Sequence, residues 1–232
     1  MKKLLALILT LSLSVLALVG CKGGDEDPEV AGLDAVKAMY AISQPTKVVA
    51  TTTHQFGSNT LIGTYVLTTG YIDGDTPAAT YKSNYQKMRD IDSGSGQQVL
   101  GPIEDVETLV EYVEGKGTRE TVNGKRSSWK KDGESIIPAK GVIAINLDAS
   151  IITQFTYENN VLTFTVPAAS TETVLGKAIA ADTLVVITTN GVEVIGISIS
   201  YTETGNAEIN MEQTAVSIEV EYTYDLETVT IG

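Results

Sequence analysis

Apolar and polar residues alternate with a period of two along most of the chain. In residues 161–166, Leu162, Phe164 and Val166 fall on one side of an extended chain, and threonines fall on the other. Residues 216–224 repeat the pattern, with Val, Ile and Tyr opposed to Ser, Glu and Thr. Because successive side chains of a strand point to opposite faces, these segments predict a sheet with one apolar face and one polar face.

Turn sequences divide the strands into hairpins. Asn-Gly occurs at 123–124 and at 190–191, and this dipeptide is favoured in two-residue hairpin loops. The predicted strands are residues 47–56, 60–72, 79–91, 107–121, 125–131, 161–166, 182–189, 192–202, 207–212, 216–224 and 229–231. In the strand at 79–91, Tyr81 and Tyr85 are expected to share a face.

Glycine 196 interrupts one of these strands. We expect Ile195, Ile197, Ile199 and Tyr201 to share a face of the strand at 192–202. A glycine inside a strand pattern often marks a β-bulge, so Gly196 is the predicted bulge position.

A helix is predicted to begin at Pro28, with Asp27 as its N-cap, and to end near residue 43, before Pro45. Its apolar side chains cover about one third of the helix circumference: Leu33, Val36, Met39 and Tyr40. A stripe this narrow indicates packing on one face of a sheet.

Two shorter helices are expected within the sheet region. Residues 168–181 are rich in alanine, with Ser170 as a plausible cap. Asp148 is placed to cap a second short helix, although the residues after it fit a further strand equally well: Ile151, Ile152 and Phe155. One N-terminal helix, a long antiparallel run, short inserted helices and a final meander form an α+β order.

The first 21 residues have a different pattern. Lys2 and Lys3 precede an apolar run at 4–18, which is too short and wrongly flanked for a spanning helix and is typical of a secretory signal. Leu-Val-Gly-Cys at 18–21 resembles a bacterial lipobox, in which the cysteine thiol receives a diacylglyceryl group. The resemblance implies a signal peptide at 1–20, a lipidated tether at 21–28 that begins with Cys21, and a single domain at 29–232. The alternative is an ordinary cleaved signal with a cysteine there by chance.

The number of cysteines favours lipidation of Cys21 over an ordinary cleaved signal. Cys21 is the only cysteine in the chain, so no disulfide can form within it. Each buried methylene of an acyl chain contributes about 0.8 kcal/mol, so two or three chains anchor a protein firmly. We therefore expect an extracytoplasmic protein that is anchored to the cell membrane by lipid.

Charge narrows the classes of partner. Without residues 1–20 the chain keeps 14 basic and all 29 acidic residues, a net charge of −15. Such acidity disfavours nucleic acid as a partner.

Basic residues are nevertheless concentrated around the only tryptophan. The group consists of Lys116, Arg119, Lys125, Arg126, Lys130 and Lys131, with Trp129 among them. One interpretation is a membrane-facing hairpin, made of Lys125, Arg126, Trp129, Lys130 and Lys131, in which cations meet anionic headgroups and the indole lies at the interface. The other, which we favour, is a solvated hairpin whose lysine stems cover the indole.

No residue set predicts catalysis. His54 is the only histidine, and serines and aspartates are too numerous to identify triad partners for it. With one histidine and an acylated cysteine, a zinc site is not expected, and no sequence pattern for a calcium loop, a phosphate-binding loop or another cofactor occurs. We therefore expect a non-enzymatic protein with no cofactor and no metal.

The order of elements from about residue 30 to 230 resembles the LolA-like half-barrel proteins, including lipid-carrier lipoproteins of cell envelopes. The closest local match runs from Leu-Asp at 147–148 through Thr-Val-Pro-Ala-Ala at 165–169 to the hairpin at 190–191. The resemblance implies a strongly curved antiparallel sheet, a half-barrel, packed on the N-terminal helix and the short inserted helices. The threonines on the second face of the strands at 47–72 leave the size of any cavity open.

The same resemblance implies a hydrophobic, lipid-like ligand held between sheet and helices. The candidate cavity residues are Leu67, Phe155, Phe164, Ile197, Ile199, Met211 and Ile218, each of which also fits an ordinary core position. The alternative function is a non-enzymatic envelope scaffold or interaction domain without a ligand cavity. A secreted hydrolase is the third hypothesis.

Overall fold

Eleven antiparallel strands form one open, curved sheet in the described part of the chain. The structure is a computed structural model, and it describes residues 28–42, 44–56, 59–92, 98–131, 145–148, 150–204, 213–225 and 228–232. The strands are β1 (Lys47–Phe56), β2 (Asn59–Ile72), β3 (Thr76–Asp92), β4 (Gln98–Val113), β5 (Gly117–Val122), β6 (Lys125–Arg126), β7 (Phe155–Glu158), β8 (Val161–Val166), β9 (Thr183–Thr189), β10 (Val194–Glu203) and β11 (Thr214–Thr223).

The pairing of β1 with β11 joins two meanders into this sheet. The strand order is β6-β5-β4-β3-β2-β1-β11-β10-β9-β8-β7. Apart from β1 and β11, all neighbouring strands in the sheet are also consecutive along the chain. With helix α1 (Pro28–Ile42), a 3-10 turn (Ala168–Ser170) and helix α2 (Thr171–Leu175), the fold is the predicted α+β half-barrel. Cys21, the rest of residues 1–27 and the predicted strand at 207–212 lie outside the described residues.

Helix α1 has the predicted bounds and packs on β7, β8 and β10. The side chains of Leu33 and Val36, from the predicted apolar stripe, are almost completely buried. Gly32 allows close packing, because a Cβ at that position would lie 2.4 Å from Cδ1 of Tyr157 on β7. We call the sheet face that carries α1 and the main core the inner face, and the opposite one the outer face.

The main core lies on the inner face and follows the predicted alternation. On β8, Leu162, Phe164 and Val166 are buried, and Phe164 is the cross-strand partner of the buried Val185. Since apolar side chains two residues apart share a face, period two alone was sufficient to predict these positions.

The predicted bulge in β10 is confirmed, and it corrects the predicted face of Ile195. The register between β9 and β10 shifts between Val194 and Gly196. The bulge turns Val194 into the core and leaves Ile195 38% exposed, while Ile197 and Ile199 are buried as expected.

The strand predicted at 107–121 is wrong, because a turn at 114–116 splits it into β4 and β5. Gly115 and Gly117 have φ angles of 77° and 93°, which glycine adopts without steric cost. The strand predicted at 125–131 is also shorter: β6 has two residues, and Lys130 adds an isolated bridge to Thr118.

The short helices are smaller than predicted. The helix expected at 168–181 ends at Leu175, because Gly176 takes a left-handed φ of 66° and caps α2. Asp148 does not begin a helix in the described residues: its carboxylate accepts hydrogen bonds from the backbone and hydroxyl of Ser150 in a turn before β7.

A second, small apolar cluster lies on the outer face of β3 and β4. Ala78 and Val113, which are register partners, are buried beneath Val229. The final strand predicted at 229–231 is wrong: these residues belong to no strand, and only Thr228 makes a bridge, to Tyr71 of β2. Residues 228–232 therefore cover the outer face without joining the sheet.

Candidate functional site

A cleft lined by tyrosines opens on the inner face of β2 to β5. Ser83 of β3 is the register partner of Tyr65 on β2, and Tyr81 and Tyr85 stand two residues away on either side of it. A small side chain thus forms the floor between three large aromatic ones. We call this site the tyrosine cleft.

The tyrosine cleft encloses about 370 Å³. Ligand pockets in proteins commonly measure about 300–1,000 Å³, so the cleft has the size of a small-molecule site. Its walls are the side chains or backbone of Tyr65, Tyr81, Ser83, Tyr85, Thr108, Val110, Thr118, Arg119, Glu120, Ser127 and Lys130.

Two of the rings form an aromatic pair. The ring centroids of Tyr65 and Tyr81 are 6.4 Å apart with an interplanar angle of 23°. Burial raises the pKa of both hydroxyls, and neighbouring tyrosines raise each pKa further: Tyr85 that of Tyr65, and Tyr65 that of Tyr81. At neutral pH these hydroxyls are therefore uncharged and can both donate and accept hydrogen bonds.

The position of Tyr65 depends on a glycine two residues earlier. A Cβ on Gly63 would lie 3.0 Å from the Tyr65 hydroxyl oxygen and 3.1 Å from ring carbon Cε2. The Tyr65 ring therefore extends along β2 over the bare backbone of Gly63.

One wall of the tyrosine cleft is formed by the edge of the sheet at and beyond β5. Thr118 and Lys130 exchange backbone hydrogen bonds of 3.1 and 2.8 Å, and the Ser127 hydroxyl accepts a 3.0 Å bond from the backbone of Glu120. Glu120 and Lys130 place one negative and one positive side chain at this wall. The guanidinium of Arg119 instead reaches Glu111 on the outer face, at 2.7 Å.

Six of the seven residues predicted to line an apolar cavity pack into the main core. Phe164, Ile197 and Ile199 are buried, whereas the half-buried members are Leu67, Phe155 and Ile218. Met211 lies outside the described residues. The tyrosine cleft and a groove of about 540 Å³ on the outer face are both lined by other residues, so a cavity at the predicted positions stays a prediction.

The candidate membrane-facing hairpin has exposed cations and a packed indole. The side chains of Lys125, Arg126, Lys130 and Lys131 are exposed. Trp129 is half-buried in the outer cluster, and its ring centroid lies 4.6 Å from Cζ of Arg119. The indole therefore contacts a cation and packs against the outer cluster, while membrane contact of the hairpin stays a prediction.

His54 lies half-buried on the inner face of β1. Burial lowers its pKa, Glu203 acts in the opposite direction, and Lys177 lowers the pKa further. Among the residues that the structure describes, no three His, Cys, Asp or Glu side chains are grouped so that they could hold a metal ion. The same residues contain no helix that is both long and apolar enough to cross a membrane.

Sequence reasoning identified part of the tyrosine cleft. The shared face of Tyr81 and Tyr85 follows from their spacing along β3. Ser83 was missed, because a serine between two tyrosines does not indicate a cleft unless the residue opposite it, Tyr65, is known. The register of β2 against β3 supplies that information.

Comparisons with known proteins give little guidance. No family model and no curated protein matches the chain. Among solved structures, the chain is similar to a DUF1329 family protein from Desulfovibrio piger, with 10% sequence identity and a TM-score of 0.28. The match covers 88% of this chain and 96% of that chain. A likeness at this level assigns no function.

Proposed function

We propose that the protein is an exported, lipid-anchored lipoprotein that binds an amphipathic, lipid-like ligand in the tyrosine cleft. The observation that carries this proposal is the position of the cleft: it lies on the inner face at β2 to β5, whereas α1 packs on β7, β8 and β10. One half of the inner face is thus filled by a helix, and the other half holds a space of about 370 Å³.

The composition of the cleft supports an amphipathic ligand. Tyrosine combines a large apolar ring with a polar end, so a ligand on such a surface gains both apolar contact and hydrogen bonds. Val110 adds apolar surface, and Glu120 and Lys130 mark a polar wall. Binding sites of this kind typically combine aromatic walls with a few placed polar groups.

The lipid anchor rests on the pattern of residues 1–21. Expression of the whole chain in a bacterial host, followed by mass spectrometry of the exported product, tests it. We expect a product that begins at Cys21 and carries the mass of a diacylglyceryl group. Cys21→Ser is expected to lack this mass, and a wild-type product that begins at another residue, with a free thiol, would contradict the anchor.

Ligand binding is tested on the protein expressed without residues 1–21. Native mass spectrometry and titration with a dansyl-labelled fatty acid report on bound lipid. Ser83→Leu fills the floor of the tyrosine cleft and is expected to reduce binding at least tenfold. Asn84→Leu is the matched control, because Asn84 is the next residue of β3 and lies exposed on the outer face.

The outcomes separate the proposal from its alternative. Equal binding by both variants would place the ligand elsewhere. A wild-type protein that carries no lipid and binds no probe would instead favour the envelope scaffold.

A further inference from the structure

A row of hydroxyl groups crosses the floor of the tyrosine cleft. Tyr65, Ser83 and Thr108 are successive cross-strand partners on β2, β3 and β4, so their side chains share the inner face. Tyr81 and Tyr85 flank this row on β3. Five hydroxyl-bearing side chains from three strands therefore meet in one space.

Within the described residues none of these five hydroxyls has a hydrogen-bond partner, although Ser83 is only 5% exposed. Two hydroxyls elsewhere in the described residues, those of Thr121 and Tyr222, are also buried without a partner, but each stands alone. Other buried hydroxyls are paired. Thr171 accepts a 2.8 Å bond from the backbone of Ile179, and Thr183 donates a 3.1 Å bond to the carbonyl of Ala181. The tyrosine cleft thus concentrates unused donors and acceptors that a ligand can satisfy.

This inventory restricts the chemistry of a ligand that displaces water from the cleft. A bare acyl chain would leave every hydroxyl without a partner, which is costly in a desolvated site. A ligand with its own hydroxyl groups can donate to and accept from each of them.

Charge at the cleft disfavours an anionic headgroup. Glu120 lines the same wall as Lys130, so the formal charges of these two lining residues cancel. The guanidinium of Arg119 is bound to the Glu111 carboxylate and lies over Trp129 on the outer face. A phosphate or carboxylate would therefore meet one cation that has an acidic neighbour.

We infer that the part of the ligand held by the hydroxyl row is an uncharged sugar, the headgroup of a glycolipid, a conclusion that rests on the proposed function of the same cleft. One face of a sugar ring presents C–H groups that pack on aromatic rings, and the Tyr65 and Tyr81 pair offers such a surface. The ring hydroxyls of the sugar then pair with the row formed by Tyr65, Ser83 and Thr108.

The test uses the full-length protein in phosphatidylcholine nanodiscs, labelled with 3-fluorotyrosine and observed by ¹⁹F NMR. Tyr→Phe variants assign the resonances of Tyr65, Tyr81 and Tyr85. The probes are maltose in solution, a glucosyl diacylglycerol built into the discs, and sodium octanoate as an anionic apolar ligand without hydroxyl groups.

We expect a sugar probe to shift the Tyr65 and Tyr81 resonances. A shift with the glucosyl lipid supports the glycolipid headgroup. A shift with maltose but not with the glucosyl lipid would show that the cleft binds a free saccharide, which overturns the lipid-like ligand and keeps the sugar. Tyr81→Phe and Thr108→Val each remove a hydroxyl and keep the shape, so each is expected to weaken sugar binding about tenfold. Gly63→Ala displaces Tyr65 without removing a hydroxyl and is expected to weaken binding as well.

Two further results would overturn the inference. If octanoate binds as tightly as either sugar probe, and Tyr81→Phe and Thr108→Val leave the affinities unchanged, the ligand is not a sugar, although the cleft still binds a lipid-like molecule. If no probe changes any of the three resonances, the sugar inference and the proposed function of the cleft both fail.

Discussion

Arg119 donates a hydrogen bond from Nε to the Glu111 carboxylate at 2.7 Å, and the side chain of Glu111 is completely buried. The other carboxylate oxygen of Glu111 accepts a 2.9 Å bond from the backbone of Gly232. Arg119 in turn donates to the Gly232 carbonyl and covers the ring of Trp129. A buried ion pair therefore joins residues 228–232 to the outer face of the sheet, directly behind the wall of the tyrosine cleft.

Removal of Arg119 is expected to destabilise the fold strongly. Arg119→Ala leaves the buried Glu111 carboxylate without its cation, a change that costs about 3–5 kcal/mol in comparable pairs. The control is Lys82→Ala, which breaks the Lys82–Glu107 ion pair on the same outer face; both of its side chains are 56% exposed. That change is expected to cost at most about 1 kcal/mol. Equal losses in urea unfolding would contradict the structural role of Arg119.

Glu111 also makes stability depend on pH in the acid range. Burial alone raises its pKa, but the hydrogen bonds from Arg119 and Gly232 and the charges of Arg119 and Arg126 outweigh burial and lower the pKa. The unfolded state then binds the proton more readily, since the pKa of an unfolded glutamate is about 4.3. Stability from this group is present above that pH and is lost as pH falls through the lower, folded pKa. Urea titrations from pH 6 to 3 should show a smaller acid loss in Glu111→Gln than in wild type.

Gly32→Ala should destabilise the protein, although alanine is the better helix former. The added Cβ would lie 2.4 to 2.7 Å from three atoms of Tyr157, at the base of its side chain, where the ring cannot move aside easily. Overpacking costs about 1–3 kcal/mol, whereas the gain in helix propensity is about 1 kcal/mol. Adding Tyr157→Ala should make the glycine replacement less damaging, and a double-mutant cycle by thermal unfolding measures this coupling. Additive effects would rule out the proposed contact.

Two half-buried tyrosines should respond differently to loss of the hydroxyl. Within the described part of the chain, the Tyr222 hydroxyl is buried without a hydrogen-bond partner, and burial raises its pKa. Tyr222→Phe is therefore expected to be neutral or stabilising. Tyr40 accepts a 3.1 Å bond from the backbone of Ile145, so Tyr40→Phe is expected to lose about 1 kcal/mol. Denaturant unfolding compares them, and a larger loss for Tyr222→Phe would refute this assignment.

The exposed cations of the hairpin allow a test of membrane contact. Because Trp129 is packed under Arg119, we expect unacylated protein to bind anionic vesicles weakly, and Trp129 emission to stay unshifted. Lys130→Glu with Lys131→Glu is expected to leave this weak binding unchanged in sedimentation with phosphatidylglycerol vesicles. Strong wild-type binding that the double variant abolishes would instead establish the hairpin as a membrane contact.

The local pattern predicted strand faces well and strand ends poorly. The alternation at Leu162 and Phe164 placed both side chains in the core, because burial on one face of a sheet requires period two. The split at Gly115 and Gly117 was missed, since a glycine-containing segment reads as a turn or as a weak strand from sequence alone. At Gly117 a Cβ would lie only 2.0 Å from the carbonyl oxygen of Lys130. Lys130 is 13 positions further along the chain, so the local pattern around Gly117 does not show this contact.

The sequence by itself determined the α+β class, the start of α1, the bulge at Gly196 and the side of β3 on which Tyr81 and Tyr85 stand. Each follows from interactions within a few residues or from the two-residue period. Only the tertiary structure decided that Tyr65 faces Ser83 to form a cleft and that Glu111, a residue typical of a solvated strand, is buried. Both results depend on which distant segment lies opposite, and pairing between strands and packing of residues 228–232 set that choice.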